Sequence, residues 1–260
     1  MRVFSRFPRA TPAPLLLFSA AAFGAAFFAV RFPDVPGASA GSYVSSVLIA
    51  LPALAALAAH RGLRRAAAAA LAVSAFAYAI ESVGVATGFP YGPFSYGDAL
   101  GPKLLGLVPY LLPVTYVPLV IGAAAAAWGP GRLAPRVLIA ALLLVLTDGV
   151  LDPGATALGF WTWTEGGPYY GVPLVNSAGW LLSGTVSAAL LLFIGRAHTP
   201  PPPGALDSAV LSLAFWTGVA VFSGLAFPAL LGLVLFALSL VRRSHLRAAQ
   251  KSQRAQEGPI

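Results

Sequence analysis

The chain has 260 residues, of which 58% are hydrophobic and 9% charged, where a soluble domain carries roughly 25% charged residues. Apolar runs long enough to cross a bilayer recur along the whole length without period-two alternation, which excludes a soluble globular domain and a porin-type barrel. The absence of cysteine excludes disulfides, thiol chemistry and thiolate metal sites. The net charge of +8 reads as arginines at span ends facing the cytoplasm and anionic lipid, with no nucleic acid as partner.

In chain order, a basic N-terminus precedes an apolar run at 15–30, expected as a retained first helix. The small-residue stretch Ala38-Ser39-Ala40 lies too far beyond it for a signal-peptide site. Spans at about 43–59 and 66–86 follow, the second carrying Glu81. A Gly/Pro/Tyr loop runs from Thr87 to Asp98. A fourth span at about 104–128 contains Pro109, Pro113 and Pro118 and is expected to be kinked. The fifth runs from about Pro135 to Asp152, where Pro153-Gly154 is expected to stop it. A second loop to Asn176 leads into the sixth, 177–194. Pro200 to Pro203 form an extended linker. Residues 208–241 are too long for one span and break at Gly224 to Pro228.

The sequence thus predicts an all-α polytopic membrane protein of about eight transmembrane helices. Residues 1–241 form one helical domain, and 242–260 a basic, mobile cytoplasmic tail. With both termini cytoplasmic, the inner segments hold 14 of the 16 Lys and Arg, all but Arg31 and Lys103. Seven spans would put the basic tail on the opposite side. Both unusual loops, 87–103 and 153–176, then lie on the non-cytoplasmic side of the cell membrane.

Ionisable groups in spans are costly and mark functional sites by default. Asp148 and Asp152 are spaced i, i+4 and share a helix face. Two such carboxyls in a poorly hydrated site share one proton, which places a general acid beside a general base. With Glu81, three carboxyls can converge beneath the two loops. Helix capping near Pro153 is the competing role for the aspartates. Trp161, Trp163, Tyr169, Tyr170 and Trp180 crowd one stretch among glycines and prolines. They suit a long apolar substrate and the stabilisation of a carbocation, although an interfacial belt would also use them. Asn176 reads as an N-cap, or else as a polar contact in the site. Lys103 pairs with a carboxylate or meets a lipid phosphate. His60, His198 and His245 sit beside basic residues near span ends, a poor setting for a metal site.

The stretch Glu81-Ser82-Val83-Gly84 through Phe89-Pro90-Tyr91-Gly92 is followed by Tyr96, Gly101-Pro102-Lys103, Pro109 and Pro113. Further on come Asp148-Gly149-Val150-Leu151-Asp152-Pro153, Phe160-Trp161-Thr162-Trp163, Tyr169-Tyr170-Gly171 and Asn176-Ser177-Ala178-Gly179-Trp180. Together, over roughly residues 75–190, these resemble the carotenoid biosynthesis membrane proteins of bacteria and archaea. That family includes the carotenoid 1′,2′-hydratases of the bisanhydrobacterioruberin hydratase type. Phe94 and Tyr116 stand where Tyr and Trp are expected, and Ser177-Ala178 replaces a bulkier pair; these departures bear on substrate fit.

The resemblance implies hydration of the terminal C1′,2′ double bond of an acyclic carotenoid, without a redox cofactor. Water is the co-substrate, membrane lipid the surroundings, and other enzymes of that pathway are candidate partners. The acid–base set is Glu81, Asp148 and Asp152. The substrate-binding set is Tyr91, Phe94, Tyr96, Trp161, Trp163, Tyr170, Asn176 and Trp180. A carotenoid cyclase would use the same protonation. A membrane prenyltransferase would read Asp148 to Asp152 as a D-x-x-x-D motif, though a second such motif is missing. A proton-coupled transporter and a carotenoid-binding protein without catalysis complete the alternatives.

Overall fold

A computed structural model describes residues 12–33, 35, 37–129, 131–194 and 199–257. Among them are eight α-helices: α1 (Ala13–Arg31), α2 (Ala38–Arg61), α3 (Leu63–Thr87), α4 (Leu112–Ala126), α5 (Leu133–Ala157), α6 (Leu174–Ile194), α7 (Asp207–Phe222) and α8 (Ala226–Glu257). Seven, counting the turn at Pro203–Leu206 with α7, are long and apolar enough to cross a membrane. Their outward faces carry Leu17, Phe18, Leu71 and Leu138, all exposed. In a bilayer these side chains meet lipid tails, so the chain is a polytopic α-helical membrane protein. Arg2, Arg6, Arg9, Arg196 and His198, used above to orient the chain or weigh a metal site, lie outside the described residues.

The eighth helix, α4, is shorter, at 15 residues. Every residue from Tyr116 to Ala125 is buried, as expected of a helix apolar on all sides. It forms the post against which α2, α3, α5, α6 and α7 pack. The expected start of this span near Leu104 is corrected. Residues Lys103–Leu104 (β2) and Val108–Pro109 (β3) pair as a small antiparallel hairpin, and helix begins only at Leu112. The turn needs positive φ at Leu105 and Gly106. Pro113 then sits in the first helical turn, where its missing N–H costs nothing.

A second correction concerns α5. Pro153 does not stop it; the helix continues to Ala157. A proline inside a helix strands the carbonyl four residues earlier, here that of Gly149. The Tyr169 hydroxyl donates to that oxygen at 2.6 Å. Burial pushes the Tyr169 phenol up to about 12, so it remains a donor. Tyr169→Phe should cost about 1 kcal/mol, the usual net worth of one hydrogen bond, here part-buried. Thermal unfolding of the two proteins in detergent measures it, and equal stability would refute this role for Tyr169.

The segment from Arg242 onward, set apart by sequence as a tail, continues α8 as regular helix to Glu257. Its Ala, Arg, Gln and Lys residues are strong helix formers, so polarity changes there without a change of conformation. Arg242 donates to the carbonyls of Ala126 and Trp128, satisfying the exposed C-terminal end of α4. Arg243 forms an ion pair with Asp207 at the start of α7.

Candidate active site

The site is built from α3, α5, α6 and the two loops. Asp148 and Asp152 lie one turn apart on α5, and each is 2% exposed. Both face Asn176, which is also 2% exposed. Asn176 therefore does not act as an N-cap: it lies inside the first turn of α6. Its Nδ2 donates to Asp148 Oδ2 at 3.0 Å and to Asp152 Oδ2 at 2.5 Å. One amide thus clamps both carboxyl groups. Trp161 Nε1 donates to the other oxygen of Asp152 at 3.2 Å. Asp148 Oδ1 is left buried with no hydrogen-bond partner among the described residues.

Above this pair the two loops join. Phe94–Tyr96 (β1) and Trp161–Trp163 (β4) run antiparallel, with Phe94 opposite Trp163 and Tyr96 opposite Trp161. Alternation along the strands puts these four rings together. Tyr96 lies 5.8 Å from Trp161 and Phe94 lies 6.0 Å from Trp163, centroid to centroid. The Tyr96 hydroxyl donates to Glu81 Oε2 at 2.8 Å. Burial, then the Glu81 carboxyl, raises the Tyr96 phenol well above its ordinary value, so it acts as a donor. Glu81 is therefore linked to the aspartate pair across the lid, through Tyr96 packed on Trp161.

Tyr91 is wedged beneath the lid, and burial pushes its phenol up as well. Its ring fills the space between Gly84 of α3 and Gly179 of α6, so close that an added Cβ at either would come within 3 Å of it. Its carbonyl accepts from Trp163 Nε1 at 2.9 Å. Phe94 and Trp163 are buried, whereas Glu81, Tyr96, Trp161 and Trp180 remain partly exposed. These four are the residues of the set that reach the surface near the carboxyl pair. Tyr170 stands apart. It is 41% exposed, meets Tyr169 edge to face, and its hydroxyl accepts from the backbone of Phe227 at the start of α8. Lys103 binds Asp98 and the carbonyl of Tyr96, pinning the base of β1. Among the described residues, no three of His, Asp and Glu gather as metal ligands.

The family model described as "Carotenoid biosynthesis protein" matches residues 41–239. This chain belongs to the carotenoid biosynthesis protein family. The matched region contains all of α3 to α7 and both loops of the site. A bisanhydrobacterioruberin hydratase from Haloarcula japonica is 44% identical over 170 residues, covering 61% of this chain and 57% of the relative. The chain therefore matches a little over half the length of that curated relative. No solved structure matches.

Within this carotenoid-family fold, some site residues are absent from the sequence-derived set. Tyr116 of α4 donates to Ser187 of α6 at 2.9 Å, and its ring lies 5.7 Å from Trp180. Ser183, also buried on α6, faces the phenols of Tyr91 and Tyr116. The signal was present as spacing: Asn176, Trp180, Ser183 and Ser187 recur every three or four residues and so form one stripe on α6.

Proposed function

We propose that this protein adds water to the terminal C1′,2′ double bond of an acyclic carotenoid end group, giving a tertiary alcohol. The observation that carries this is the clamped carboxyl pair beneath an aromatic lid, in which Asp148 Oδ1 is buried and receives no N–H or hydroxyl bond among the described residues. Both Asp152 oxygens already accept hydrogen bonds, so Asp152 orients the pair while Asp148 delivers the proton. The name of the Haloarcula relative, a hydratase, supports the same chemistry.

The substrate end group enters from the lipid side, past the partly exposed Trp161, Trp180 and Tyr96. Asp148 transfers H⁺ to C2′ and becomes a carboxylate. The positive charge develops at the tertiary carbon C1′, where aromatic faces stabilise it in a water-poor setting. Water attacks C1′, and the proton it sheds passes to Glu81. The balance closes when that proton returns to the aspartate pair through solvent, so one water is consumed and the protein is unchanged.

Expression in cells that make lycopene or γ-carotene tests this directly. The expected product is heavier by one water and carries a tertiary hydroxyl. Unchanged pigment in the presence of folded protein would overturn the proposal. An isomer of unchanged mass would indicate cyclisation, in which proton loss replaces water capture.

A further inference from the structure

A second polar cluster lies far from the carboxyl site, at the end of the bundle where α2 stops and α5 begins. His60 and Arg61 close α2, and Arg136 lies in the first turn of α5. With Trp128 they line a narrow cleft that opens to the surface. Its remaining wall is apolar, from α2, α4, Leu191 and Leu192 of α6, and the 201–205 segment.

Several nitrogen atoms in this cleft are unsatisfied. His60 Nε2, Arg61 Nε and Nη1, and Arg136 Nε are all buried without a hydrogen-bond partner among the described residues. Arg61 and Arg136 also repel each other. Among the described residues neither has a carboxylate partner; the ion pairs found are Lys103 with Asp98 and Arg243 with Asp207. The Arg136 guanidinium is nevertheless held in place, 4.4 Å above the Trp128 ring, while Arg242 fixes the backbone of Trp128. Two half-buried guanidinium groups side by side, with buried N–H groups unpaired, are costly, and an anion accepting several N–H bonds lowers that cost.

We propose that this cleft binds a phosphate group, carried by the headgroup of an anionic membrane lipid or free in solution. Arginine's planar fork suits phosphate oxygens. The apolar wall beside it suits the first carbons of an acyl chain.

The test uses the full chain purified in detergent and examined by native mass spectrometry with phosphatidylglycerol or phosphatidylcholine added. Thermal unfolding is measured in parallel with and without inorganic phosphate. Wild type is expected to retain phosphatidylglycerol preferentially. The double variant Arg61→Gln, Arg136→Gln is expected to lose about tenfold in bound fraction. The control Arg64→Gln, Arg65→Gln removes two exposed charges and should retain the lipid. Stabilisation of wild type by inorganic phosphate without lipid preference would assign the site to soluble phosphate. Equal loss in the control would show generic surface attraction and overturn the proposal. Should the double variant fail to elute as a single species, wild type decides alone: no lipid preference and no shift with phosphate would overturn it.

Discussion

Asp148→Asn should reduce carotenoid hydration by about 10²–10⁴-fold, the usual contribution of a positioned general acid. The amide keeps the shape of the side chain and can still accept from Asn176, so the protein should insert and elute normally. Glu81→Gln should behave alike, because its amide oxygen still accepts from Tyr96. Asp152→Asn should differ. Its amide nitrogen would face either Trp161 Nε1 or Asn176 Nδ2, donor against donor. That variant should therefore lose stability as well as turnover. Product yield per folded protein, together with a melting curve, separates the three. Full activity in both Asp148→Asn and Glu81→Gln would remove the acid–base assignment.

Gly179→Ala should destabilise the protein by about 1–3 kcal/mol through overpacking. A Cβ there would lie 2.5 Å from Tyr91 Cδ1 and 2.9 Å from the carbonyl oxygen of Pro90. The ring has little room to retreat toward α3, because it already rests against the backbone of Gly84, so closely that a Cβ added there would lie 2.8 Å from Tyr91 Cδ2. Moving Tyr91 would also disturb the bond from Trp163 that anchors β4. Activity should therefore fall together with stability. Gly24→Ala is the matched control: it lies in α1 with nothing within 4 Å of an added Cβ. Alanine favours helix there. Equal melting temperatures for Gly179→Ala and wild type would refute the wedge.

The carboxyl groups were legible in the sequence because a bilayer makes each of them conspicuous. The polytopic helical plan was legible because apolar length is a direct physical requirement, but α4, at 15 residues, is shorter than the span expected there. The union of the two loops was not. Strands of three residues are too short to show alternation, and their pairing partners are distant in the chain. Pro153 misled for a different reason: its cost is offset by Tyr169, which local sequence rules cannot see. Asn176 is equally good as a cap and as a clamp, and only the position of Asp148 and Asp152 decides between them. Ser183 and Ser187 escaped notice because serine is unremarkable in a membrane helix.

The pairing of β1 with β4 also bears on how the protein is made. One strand follows α3, early in synthesis, while the other follows α5. Until residues 161–163 emerge, β1 has no strand to pair with, and Glu81 and Tyr96 await the rest of their site. The paired-loop site is then an outcome of late assembly, absent from any nascent chain that ends at α4.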